Sequence, residues 1–310
     1  MIHINRTNTN PSIKRSLPQR FLGALRKNWA AWLLLVPSFY TLYIVMWKPV
    51  VTGAYMSLFK TSGYDLVEFV GIQNYINVLK DPIFLQTLVN TLKYVFWSIV
   101  IGFFLPLFVA IALNEIVHFK SLFRTLVYVP VLVPMVAASL IWYFMFLPGE
   151  SGVLNMLLAK IGLPPEQWLQ NPDLTIMLIV ISMTWKSFGS TVVIYLASLQ
   201  GISQDLYEAS TIDGASVIKK TIHITIPQIM PTALLMLVAQ IISVFQTMNQ
   251  PMIMTDGGPN NASLTLSLQS YYEAFRYMRA DSSLAIGIVS FVILLVMTVF
   301  YFKLQKKLED

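Results

Sequence analysis

The chain has 310 residues, 56% of them hydrophobic and only 12% charged, with a mean hydropathy of +0.64. Soluble domains carry about 25% charged residues, so this composition excludes a water-facing globular enzyme and predicts an integral membrane protein. Cysteine is absent, which removes disulfide and thiolate chemistry. The net charge of +6 is no nucleic-acid footprint, because it is concentrated at one end of the chain.

Arg6, Lys14, Arg15, Arg20, Arg26 and Lys27 all precede the first apolar run, and no acid lies among them. Such a tail, residues 1–28, reads as a topology signal that stays in the cytoplasm. A bilayer core needs about 20 mostly apolar residues per helix. Six segments qualify: 29–51, 88–113, 122–147, 174–199, 229–250 and 283–302. The first is too long for a signal peptide and is expected to be retained. Six crossings return the C-terminal segment, 304–310, to the side of the tail, so both termini are expected in the cytoplasm. On that assignment the turn at 114–121 and the polar connection at about 201–227 are cytoplasmic. Three longer loops, 52–87, 148–173 and 251–282, then lie outside, each able to carry a helix or two. The fold class expected is an all-α membrane protein of six transmembrane helices, filling 29–303.

Trp29, Trp32 and Trp47 bracket the first span as interfacial anchors do. Pro37, Pro106, Pro130 and Pro134 fall inside spans, where neighbouring helices or an internal cavity must resatisfy the freed carbonyls.

The connection at 201–227 has helix grammar of its own. Ser203 is placed to cap a helix whose first turn holds Gln204 and Asp205. Leu206, Ala209, Ser210 and Asp213 fall on one stripe, with Glu208 projecting beside it. Gly214 then stops the helix by adopting the left-handed conformation. Ser216 can cap a second short helix, which Pro227 is expected to interrupt because it lacks an amide hydrogen.

Glu208-Ala209-Ser210-x-x-Asp213-Gly214-Ala215, followed by Ile222-x-x-x-Ile226-Pro227, resembles the EAA loop of the membrane subunits of bacterial ATP-binding-cassette importers. Ser210 stands where that family usually has a second alanine, a small-for-small change. Val70-Gly71-Ile72-Gln73-Asn74-Tyr75, Gly152-Val153-Leu154-Asn155 and Thr255-Asp256-Gly257-Gly258-Pro259 are similar to segments of its carbohydrate-uptake branch. The resemblance implies a type I importer permease fold in the bacterial inner membrane, with coupling helices that dock on an ATP-hydrolysing subunit. It implies, as partners, a second homologous permease, two ATP-binding subunits, an extracytoplasmic solute-binding protein, a sugar substrate and membrane lipid.

No Gly-x-x-x-x-Gly-Lys-[Ser/Thr] occurs and no glycine precedes a lysine, so a phosphate-cradling loop is not expected here. ATP and Mg would belong to the partner. Lys186 falls near the middle of the fourth span, where a charge must face a wet cavity, a partner or the interface. It suits either a substrate contact or a structural role. Gln240, Ser243, Gln246, Thr247 and Gln250 would project within about 120° on a continuous fifth helix, at about 100° per residue. Such groups can bind sugar hydroxyls or bond neighbouring helices. His3, His118 and His223 have no ligand spacing, so neither a metal site nor a catalytic site is expected. An ion-coupled sugar carrier, the alternative reading, usually needs more spans and intramembrane acids.

Overall fold

The computed structural model describes residues 28–115 and 119–309. The basic run from Arg6 to Lys27, His3 and His118 lie outside them. The chain divides into two units, 1–55 and 56–310. In the first, the described residues form most of one apolar helix, α1 (Trp29–Met56), which contains a π turn at Tyr43–Trp47.

The second unit begins with a feature absent from the sequence reading. The first long loop carries an antiparallel hairpin, β1 (Phe59–Ser62) and β2 (Asp65–Phe69), turning at Gly63-Tyr64. Helix α2 (Gln73–Lys80) follows. Asn74 holds the hairpin by donating to Ser57 O at 2.9 Å and Phe59 O at 2.8 Å. The fold is therefore helical with a small two-stranded accessory.

Asp81 opens α3 (Pro82–Glu115) by accepting from the Ile83 amide at 2.9 Å, with Pro82 in the first turn, where its missing donor costs nothing. A π turn at Ser98–Phe103 interrupts this helix. The expected third span is broken. Helix α4 (Lys120–Leu132) stops where Val133 turns extended before Pro134, and α5 (Met135–Met145) leaves at 96°. Proline forces its predecessor out of helical geometry, and here the chain takes a corner instead of a kink. The two halves still carry the chain from one end of the bundle to the other. Leu113, before α4, packs with Leu199, whereas Phe146, after α5, packs with Phe84 and Ile176.

The second long loop carries α6 (Val153–Lys160) and is organised by Asn155, which is buried. Its amide donates to Gly149 O at 2.8 Å and Glu166 O at 2.9 Å. Its carbonyl accepts from the Glu166 amide at 3.0 Å and from Trp168 Nε1 at 2.7 Å. Replacing Asn155 with leucine strands these groups. The expected loss is about 2–5 kcal/mol of local stability, read as rapid proteolysis between 148 and 173; unchanged resistance would contradict the assignment.

Helix α7 (Thr175–Gln200) is followed by α8 (Gln204–Ile212) and α9 (Val217–Phe245). Pro227 does not interrupt α9. A π turn at Thr221–Thr225 precedes it, with the Ile226 amide bonded to Thr221 O, so the proline falls in the first turn of the following α segment. The wider turn removes the clash that a proline ring makes with the carbonyl four residues back.

Helix α9 ends at Phe245, earlier than the expected 250. The chain turns through Gln246 and Met248 into α10 (Asn249–Thr255). Helix α11 (Leu266–Tyr271), its π turn Tyr272–Arg276 and α12 (Ala280–Glu309) complete the unit. Two apolar clusters hold the bundle. One joins Phe84, Tyr94, Ile179, Phe245 and Ile286; the other joins Ala110, Val192, Leu199, Ile229 and Ala233. Helices α3, α7 and α9 contribute to both, so they are the frame on which the candidate sites are built.

The third long loop is latched to α3. Asn90 donates to Asn261 O at 2.7 Å and Leu264 O at 3.2 Å, Tyr94 OH donates to Ser263 O at 3.1 Å, and Thr91 Oγ1 accepts from the Leu266 amide at 3.1 Å. Later in the same loop, Arg279 pairs with Glu273 at 2.7 Å. Burial pushes the Glu273 carboxyl above its usual range, and Arg279 pulls it partly back.

Candidate functional site

Two places gather the residues singled out in the sequence. The first is the α7–α9 connection. Ser203 caps α8 by accepting from the Asp205 amide at 3.3 Å, and Ser216 caps α9 by accepting from the Lys219 amide at 3.4 Å. Gly214 has φ +72°, with its amide bonded to Thr211 O at 3.0 Å and the Ala215 amide to Ser210 O at 2.9 Å. This paired pattern is a Schellman cap, which needs a left-handed residue.

Tyr207 OH lies 3.0 Å from Thr225 Oγ1, and Lys220 Nζ donates to Thr211 Oγ1 at 2.7 Å, so one face of α8 is tied back to α9 at two points a turn apart. The hairpin is thus prefolded. Ser210 and Ala215 are half-buried within it, whereas Glu208, Ala209, Asp213 and Pro227 are exposed. Glu208 and Glu115 line one cavity of about 360 Å³ between α8, α9 and the end of α3.

The sequence reading missed the apolar side chains displayed here. Ile212 is 87% exposed, Ile218 71% and Val217 67%. They flank the Gly214 turn, and an apolar group raised on a polar hairpin gains only when another surface covers it. The available signal was their position: Ile212 directly precedes Asp213-Gly214, and Val217-Ile218 directly follows Ser216.

The second place is a cavity of about 310 Å³ between α3, α7 and α9. Of the expected residues, Lys186, Gln240, Ser243 and Gln250 line it; Gln246 and Thr247 do not. The single face expected on a continuous helix does not form, because α9 has ended before Gln246. Gln246 is exposed, whereas Thr247 is buried, with its hydroxyl 3.3 Å from Gln250 Oε1 and its carbonyl accepting from Thr265 Oγ1 at 2.7 Å.

Gln240 donates to Ser98 O at 2.6 Å. Ser98 opens the π turn of α3, and such turns leave backbone acceptors in need of partners. Lys186 Nζ donates to Val131 O at 3.2 Å. Ser187 and Thr191 add hydroxyls to the same wall. Among the described residues no group of three or more His, Cys, Asp or Glu is placed to hold a metal.

Residues 99–310 match the family model described as binding-protein-dependent transport system inner membrane component. Among curated proteins, the arabinooligosaccharides transport system permease protein AraP of Bacillus subtilis is 31% identical over 281 residues, 90% of this chain and 89% of that protein. The lactose transport system permease protein LacF of Rhizobium radiobacter is 33% identical over 276 residues, 87% of this chain and 91% of that one. Among solved structures, a chain of a bacterial alginate ABC transporter, in complex with an alginate pentasaccharide-bound periplasmic protein, superposes with a TM-score of 0.83. It is 24% identical and covers 93% of this chain and 98% of its own.

Proposed function

We propose that this chain, which belongs to the family of binding-protein-dependent transport system inner membrane components, conducts a sugar or sugar derivative inward through an ABC importer. An extracytoplasmic binding protein delivers the cargo, and a second, related permease completes the pathway. A separate pair of ATPase subunits binds ATP and Mg and supplies the energy, since this chain carries no phosphate-binding loop.

The observation that carries this reading is the prefolded α8–α9 hairpin, on which Glu208, Ile212, Val217 and Ile218 are all exposed. A carboxylate and uncovered aliphatic side chains on one hairpin fit a groove with a basic group at its edge. The reading places Glu208, Ala209, Ser210, Asp213, Gly214, Ala215 and Pro227 in the joint with the ATPase, and both termini and the joint in the cytoplasm. The relatives' names, for arabinooligosaccharides and lactose, support a carbohydrate cargo.

On the transport path, Ser243 and Gln250 are the sugar-facing candidates, with Ser187 and Thr191 beside them. Gln240 spends its amide on Ser98 O, which favours helix pairing for that residue; Gln246 and Thr247 lie off the cavity. Ser243→Leu and Gln250→Leu each remove one neutral hydrogen-bonding group, so each is expected to weaken sugar affinity about 2- to 10-fold. Uptake by the reconstituted complex at varied sugar concentration checks this. Unchanged KM in both variants removes the cavity from the path.

The test of the whole reading is the energy source. Uptake into vesicles containing the complex should follow ATP and survive collapse of the ion gradients. Uptake that instead follows the gradient would establish an ion-coupled carrier.

A further inference from the structure

Lys186 and Gly189 lie one turn apart on α7, and both face α4. At Gly189 the two backbones are in contact: a Cβ there would stand 2.5 Å from Val127 O and 2.7 Å from Tyr128 Cα. Backbone atoms cannot swing aside, so only glycine permits this approach. One turn further along α4, Lys186 Nζ donates to Val131 O at 3.2 Å.

Val131 lies in the last turn of α4, whose carbonyls have no donors within the helix. The residue four ahead, Met135, lies beyond the 96° corner. The ammonium therefore caps a helix end that Pro134 has cut short, where the helix dipole is negative. Neither ion pair among the described residues, Arg276–Asp256 or Arg279–Glu273, involves Lys186. The helix end supplies the negative partner that this charge needs inside a bilayer.

We infer that Lys186 and Gly189 form a two-point clamp that makes α4 and α7 one moving body, so that displacement of α8 reaches the corner at Val133-Pro134. The route is continuous. Gln200, the end of α7, is joined to the Ser203 cap of α8 by Gly201 and Ile202, and Ile202 packs in the cluster of Leu113 and Leu199. Movement of α8 pulls α7, and the clamp passes it to α4. Past the corner, α5 packs against α10, which carries Gln250 at the wall of the cavity. Lys186 is thus a positioning residue that acts on the cavity through α4. This inference rests on α8 being the helix that the ATPase grips.

The chain has no native cysteine, so with cysteine-free partner subunits, spin labels at Leu126→Cys on α4 and Val193→Cys on α7, both exposed, report the separation of the two helices. In the assembled complex, that separation is expected to agree within about 2 Å between nucleotide-free and ATP-trapped states, a small helix shift. Lys186→Met should broaden it in both states and lower sugar uptake per ATP hydrolysed about tenfold. Lys186→Arg should restore both readouts, and Gly189→Ala should lengthen the separation. A separation that changes between states in the unaltered complex overturns the clamp, as does a Lys186→Met complex with a narrow distribution and normal uptake per ATP. The docking reading is judged apart from this, by whether Glu208→Lys abolishes ATPase stimulation; the nucleotide-free separation tests the clamp in either case.

Discussion

Glu208→Lys is expected to abolish uptake while the protein still reaches the membrane in normal amount. Glu208 is exposed on a hairpin held by its own caps, so the substitution leaves the local fold intact. It sets a cation against the basic group that the joint requires. Loss of a buried charge pair at an interface costs about 2–5 kcal/mol, on the order of 30- to 1,000-fold or more in affinity. Gly214→Pro reaches the same end by another route. A Cβ at Gly214 meets nothing within 4 Å, so space is not the obstacle. Proline fixes φ near about −65°, whereas Gly214 requires +72°, and the Schellman cap is lost. Both variants are checked by membrane fractionation, sugar uptake and binding-protein-stimulated ATP hydrolysis. Retention of uptake and stimulation in both would remove the hairpin from the energy path.

Asn90→Leu is expected to loosen the hold of α3 on the third long loop and lower the stability of the bundle. Asn90 is 4% exposed, and its amide serves two loop carbonyls, Asn261 O and Leu264 O. Leucine preserves the bulk and leaves Leu264 O buried without its donor, at about 1–3 kcal/mol, whereas Asn261 O, on an exposed residue, can turn to water. The loss should therefore be about 1–3 kcal/mol, seen as a fall of a few degrees in unfolding temperature in detergent. Tyr94→Phe removes one bond, to Ser263 O, and should cost about 1 kcal/mol. An Asn90→Leu protein that melts with the parent would show that the 251–282 loop does not depend on this latch.

Composition and local chemistry made most of the architecture legible. Apolar runs located the spans because a bilayer demands length and hydropathy together. Ser203, Ser216 and Gly214 announced the hairpin because caps act within a few residues of themselves. What escaped depends on partners far along the chain. Nothing near Gln246 forbids a longer helix, but Thr265, 18 residues on, binds the carbonyl of Thr247 beyond the helix end. Pro134 was visible, yet kink and corner look alike in sequence, and Lys186 at Val131 O belongs to the corner. Pro227 misled in the opposite direction, because the π turn ahead of it absorbs the misfit. The hairpin at Phe59–Ser62 and Asp65–Phe69 is too short for its alternation to stand out from an amphipathic loop.

The long single course of α9 has a mechanical consequence. Its 29 residues make a strut of about 43 Å, at about 1.5 Å per residue, from the tip of the hairpin to the corner at Gln246. The strut has two soft points near its Val217 end, the π turn at Thr221–Thr225 and Pro231, where the backbone ladder is interrupted; beyond them it delivers its stroke to Phe245 unchanged. Further compliance sits at its ends, at the glycine turn on one side and at the Gln246–Met248 bend on the other. Stiffening either end should stall the stroke, whereas along the strut the exposed side chains are freer to change than Ile229, Ala233 and Gln240, which hold it to the bundle.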